Sequence, residues 1–93
     1  MNISDDTLDY MLANTFYERL AANIQRAQRN LQKNEQLQVC YINAGIVVFV
    51  HHIGYHNPNL IILYGKDEKE NECTVLLHMN AVSLLLSSSL KVL

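Results

Sequence analysis

Charged side chains are scarce in this sequence. Seven Lys and Arg with nine Asp and Glu make up 17% of its 93 residues, where ordinary globular domains carry ~25%. A folded chain of this size exposes roughly 5,500 Å², more than so few charges can cover. Some apolar surface is therefore left for another molecule, and a homo-oligomer is expected. A net charge of −2 excludes a protein that coats DNA or RNA, which needs a strong positive excess. Cysteine is sparse too. Cys40 and Cys73 form no CxxC pair and lack the dense spacing of a disulfide scaffold, which predicts reduced, buried thiols. The three glycines, Gly45, Gly54 and Gly65, never cluster, so no phosphate-cradling loop is present. No apolar run approaches the ~20 residues that cross a bilayer, and no membrane partner is expected. The first residues are acidic and lack the basic start and apolar stretch of a secretory signal, which predicts a cytoplasmic protein.

What is present divides a single domain, residues 1–93, into three zones. Residues 5–34 contain neither Gly nor Pro and place Leu8, Leu12, Phe16, Leu20, Ile24, Ala27 and Leu31 three or four apart, the period of one helix face. Ser4 is placed to cap this stretch, with Asp5, Asp6 and Asp9 at the positive end of the helix dipole. A second start signal lies inside it, because Thr15 and Glu18 match a capping box directly after Asn14. About thirty continuous helical residues would span ~45 Å, longer than a globule of this size, ~32 Å across. The zone is read as a short helix broken near Asn14 and a long one over about residues 15–34.

The period then changes to that of strands. Residues 37–43 alternate, residues 46–53 form a β-branched run, and runs at 60–64 and 73–78 follow. Short polar connections join them, one holding the only proline in Asn57-Pro58, so residues 37–78 read as a four-stranded antiparallel meander. Residues 80–93 read as a C-terminal helical segment capped by Asn80, with Val82, Leu85, Leu86, Leu90 and Leu93 on one stripe. The predicted fold class is α+β: N-terminal helices across one face of a four-stranded antiparallel sheet, with the C-terminal helical segment completing the packing.

Catalytic chemistry finds little support. The histidines His51, His52, His56 and His78 suggest a metal. In a strand, however, His51 and His52 point to opposite faces, and no HxxxH or CxxC spacing supplies converging ligands. No GxSxG elbow occurs, and neither cysteine follows a catalytic signature. Asp67, Glu68, Glu70 and Glu72 mix with Lys66 and Lys69 in a charged hairpin that reads as solvated. These observations predict no catalytic residue, no metal and no cofactor, and hence a protein that is not an enzyme.

Two polar constellations point instead to binding. Arg19, Arg26 and Arg29, with Lys33, lie in a stretch free of acids from residue 19 to 34. Such a stripe reads either as a solvated helix face or as an anion site gripped by guanidinium groups. In the segment 54–59, Tyr55, His56 and Asn57 read either as turn chemistry or as a stacking plane beside groups that hydrogen-bond a base edge. Together they describe the needs of a nucleotide-sized ligand.

Residues 53–65 (IGYHNPNLIILYG), followed by Val75-Leu76-Leu77-His78 and Leu84-Leu85-Leu86, resemble a small bacterial and phage domain family of unknown function. Its members share a GY-NP-LI-F-G strand-turn motif and a later LIQH-SQL--LL motif. Phe16-Tyr17-Glu18-Arg19-Leu20 also fits the family's opening, so the resemblance covers residues 16–86. The chain departs from it where Leu77-His78-Met79-Asn80 replaces the glutamine-containing form. The resemblance implies no activity, but its phage context suggests a non-enzymatic sponge that sequesters a nucleotide-derived signalling molecule at a subunit interface. The alternative is a protein-interaction module that docks on or inhibits a host protein without a small ligand.

Overall fold

The computed structural model describes residues 12–91; the short first helix expected before Asn14 lies outside the described residues. Helix α1 runs from Ala13 to Arg29, starting two residues before the Thr15–Glu18 capping box and stopping five short of residue 34. Its N-cap, Leu12, has no side chain able to accept a hydrogen bond, so the cap must come from elsewhere in the fold. Arg26 and Arg29 occupy the last turn, where positive charge suits the carbonyl end of the helix dipole.

Five strands follow: β1 Glu35–Asn43, β2 Ile46–His56, β3 Leu60–Lys66, β4 Glu72–His78 and β5 Leu84–Leu90. All pairings are antiparallel, and the strand order is β4-β3-β2-β1-β5. The first four strands form the expected meander. Ala44 and Gly45 join β1 to β2 with positive φ at both residues, 52° and 83°, the backbone of a type I′ hairpin turn. The β2–β3 ladder shifts register between Val50 and His52, leaving His51 as the extra residue of a bulge.

The C-terminal zone overturns the predicted fold class. Among its described residues only Met79–Ala81 is helical, as one 3₁₀ turn. The chain then crosses back as a fifth strand and pairs with β1 from Tyr41↔Leu84 to Glu35↔Leu90. Two physical causes favour the strand. Ser87, Ser88 and Ser89 have side chains that compete for backbone hydrogen bonds and weaken a helix. The free edge of β1, meanwhile, offers a seven-residue ladder that pairs the backbone groups pointing toward it. The apolar residues fit both periods, since Leu84, Leu86 and Leu90 share one strand face, and the tertiary partner decides between them.

Strand alternation and the register sort the sheet into two faces. One carries Val39, Tyr41, Val48, Val50, Ile53, Ile61, Leu63, Val75 and Leu77, and α1 packs on it principally over β2. Ala13, Ile61, Leu63 and Val48 are buried to 2% exposure or less there, with Phe16 and Tyr17 of the helix against them. On the other face, among the described residues, no second layer is present. Cys40 and Ile62 are shielded by their neighbours, while Ile42, Phe49, Leu76 and Leu85 are exposed.

Candidate functional site

The turn between β2 and β3 is a structural hub. Two of its residues hold the start of α1 and the third holds the 3₁₀ turn. The side chain of Asn57 accepts a hydrogen bond from the Asn14 N–H at 3.0 Å, and the Pro58 carbonyl accepts from the Ala13 N–H at 2.8 Å. These are two of the donors that a helix N-terminus leaves without an intrahelical partner. The missing cap is thus supplied from 43 residues away. The Asn59 carbonyl accepts from the Met79 N–H at 2.8 Å, tying in the 3₁₀ turn. The Asn57-Pro58 peptide is cis.

The predicted ligand residues are distributed around this hub rather than gathered. Tyr55 lies on the helix side of the sheet, its ring tilted against Tyr17 at 5.1 Å between centroids. His56, the next residue, points to the open face, and Asn57 is engaged with the helix backbone. Arg19, Arg26 and Arg29 are all exposed. At 100° per residue they lie roughly 120–160° around α1 from the core-facing Ala13, on its convex outer side. Asn23 links the first two by donating to the Arg19 carbonyl at 2.9 Å and accepting from the Arg26 guanidinium at 3.4 Å. Arg29 stands about 22 Å along the helix from Asn14, at 1.5 Å per residue. The arginine stripe and the turn therefore occupy different sides of the helix.

The bulge at His51 creates a cluster that alternation alone does not reveal. With one extra residue in β2, the two adjacent histidines no longer diverge fully. Both line a recess of about 450 Å³ with Tyr64, Glu72, Cys73 and Thr74. His51 Nε2 lies 3.5 Å from Glu72 Oε2, and the His52 ring is 5.4 Å from that of Tyr64. A Cβ at Gly54 would make ordinary van der Waals contact with this ring, 3.4 Å from Tyr64 Cε2. No three His, Cys, Asp or Glu side chains among the described residues are grouped to hold a metal ion. Both cysteines are free, Cys40 buried and Cys73 half-buried. Burial pushes the Cys40 thiol above its ordinary pKa, which disfavours the reactive thiolate.

Across the open face the register sets polar rows beside apolar ones. His56, Leu60 and His78 form one row, Gly54, Ile62 and Leu76 the next, and His52, Tyr64 and Thr74 a third. Three histidines thus border an apolar strip that includes Leu76 at 63% exposure. The sequence holds a signal for this: positions 52 and 56 share parity within β2, and a three-residue turn carries the same face into β3. No helix of the described residues is long and apolar enough to cross a membrane. Compared with protein-family profiles, curated proteins and solved structures, the chain matches none.

Proposed function

We propose that this protein is a non-enzymatic interaction module that docks on another protein through the open face of its sheet. One observation carries the reading: Ile42, Leu76 and Leu85 are 52%, 63% and 54% exposed on a face that no other described element covers. Leu76 on β4 and the neighbouring Ile42 and Leu85 on β1 and β5 stand toward opposite edges of that face, and exposed apolar areas on a small protein mark docking surfaces. The histidine border specifies the partner's chemistry as an apolar surface rimmed by carboxylates, which imidazoles can hydrogen-bond or, when protonated, pair with. The test is cross-linking mass spectrometry on protein expressed in its host. Cross-links should map to the open face and disappear in Leu76→Glu, while Arg26→Ala leaves them intact; cross-links confined to the helix would sink the reading.

A second reading keeps the nucleotide-derived anion, and the acid-free stripe of Arg19, Arg26 and Arg29 favours it. Binding sites for small molecules are concave, whereas this stripe is convex, so a pocket requires a second subunit. In this reading the protein is an oligomeric sponge of the kind that its resemblance to a phage-borne family suggests. Calorimetry against a panel of cyclic and linear nucleotides tests it. Binding should be lost in Arg26→Ala and Arg29→Ala with the oligomer intact, and unchanged affinity in both variants would exclude it.

A further inference from the structure

Strand β5 ends the sheet beside β1, and among the described residues its outer edge lacks the usual protection. Edge strands expose a row of unpaired N–H and C=O groups, which proteins blunt with charge, proline, a bulge or brevity. Leu84–Leu90 has neither a charged residue nor a proline across seven residues. Its ladder with β1 runs without a register shift. Leu85 is 54% exposed, and Leu90, at 68%, is the most exposed large apolar side chain among the described residues. The opposite edge, β4, begins with Glu72, a charged residue facing His51.

The strand also complements itself. Two copies laid antiparallel about a two-fold axis at Ser87 set Leu84 against Leu90, Leu85 against Ser89 and Leu86 against Ser88. All seven residues find partners, no charge meets another, and each side chain stays on its own face of the sheet. Residues of the same parity oppose each other, so the outward-pointing backbone groups of one copy meet those of the next. We infer that β5 is a dimer seam, pairing with β5 of a second copy to make a continuous ten-stranded sheet. Such an interface is isologous, the common form for soluble homodimers. Both α1 helices then stand on one side, about 24 Å apart over five strand steps of ~4.8 Å. The groove between them is floored by Leu84, Leu86 and Leu90 of both copies. This seam requires neither the docking partner nor the anion.

Ser87 faces its own symmetry mate, which makes the seam directly testable by native mass spectrometry and light scattering on the full chain. The wild type should be a dimer. Ser87→Lys and Ser87→Glu, each placing like charges together at the centre, should be monomers with unchanged circular dichroism. Mixing the two should restore a heterodimer, which also shows that both variants fold. Ser87→Cys should form an intersubunit disulfide on mild oxidation, because directly opposed Cα atoms lie within bridging distance. A wild type that stays monomeric from micromolar to millimolar concentration overturns the inference. So does a dimer that survives Ser87→Lys and fails to cross-link through Ser87→Cys, since its interface would lie elsewhere.

Discussion

The side chain of Asn57 accepts the Asn14 N–H at 3.0 Å, so the helix is capped by the turn of a hairpin it packs against. Removing such a cap costs typically ~1 kcal/mol. Asn57→Ala should lower unfolding free energy by about that amount in urea titrations. Asn57→Asp keeps the acceptor and adds a negative charge at the positive end of the dipole, so it should match or exceed the wild type. Equal losses in both variants would show that the oxygen is not acting as a cap.

The β1–β2 turn carries a correctable strain. Ala44 sits at φ 52°, a left-handed conformation that costs a residue with a Cβ roughly 1–2 kcal/mol, while Asn tolerates it. Ala44→Asn creates the Asn-Gly pair preferred in such turns. It should stabilise the protein by about 0.5–1 kcal/mol, read as a higher denaturation midpoint at unchanged m-value. Ala44→Val should move the midpoint the other way.

Gly65 is required by crowding rather than by backbone angle. A Cβ at this position would press into the Phe49 backbone carbonyl and lie 2.9 Å from Val48 Cγ1. Neither neighbour can move freely, since Phe49 belongs to the β2 ladder and Val48 is 2% exposed. Gly65→Ala should therefore cost about 1–3 kcal/mol, the range for overpacking. Gly54→Ala meets only ordinary van der Waals contact and should cost clearly less in the same assay; equal effects would refute the steric account.

Asp67 organises the β3–β4 connection. Its Oδ1 accepts from the backbone N–H groups of Asn71 and Lys69, each at 2.9 Å. These bonds, that from Asn71 first, hold its carboxyl below the usual pKa. A depressed folded-state pKa means that the unfolded chain binds the proton more readily. The stabilisation is present above the ordinary carboxylate range and is lost as pH falls through the folded value. Thermal melts from pH 6 down to pH 2 should show a smaller acid-induced decline for Asp67→Asn than for the wild type. Identical slopes would remove Asp67 from the acid response.

The helix and the first four strands were legible because their side-chain periods are clean. Phe16, Leu20, Ile24 and Ala27 recur at helical spacing, and the β-branched run at 46–53 tolerates little but a strand. The fifth strand was not, because Leu84, Leu86 and Leu90 suit a strand face as well as Leu85, Leu86 and Leu90 suit a helical stripe. Only the unpaired edge of β1 decides between the two, and that edge lies more than forty residues away in the chain. The bulge at His51 is hidden for the same reason: a register shift belongs to a pair of strands, not to either one. Asn57 was readable as a turn residue, whereas Tyr55 and His56 extend β2 and pair with Ile61 and Leu60. That Asn57 reaches the start of α1 depends on a contact spanning 43 residues, which no local pattern contains.

The return of β5 to β1 has a consequence for how the chain assembles. Three successive hairpins need only short loops, whereas β5 must close a loop of about 43 to 55 residues onto β1 at greater entropic cost. Low-separation contacts form fastest, so the meander is available before the strand that completes it. During synthesis β5 also emerges after the other four strands. Until it does, Leu37, Val39 and Tyr41 lie along an open edge of β1, where a neighbouring nascent chain could donate its own β5 in place of the native one. The timing of one late strand thus separates correct folding from exchange between chains.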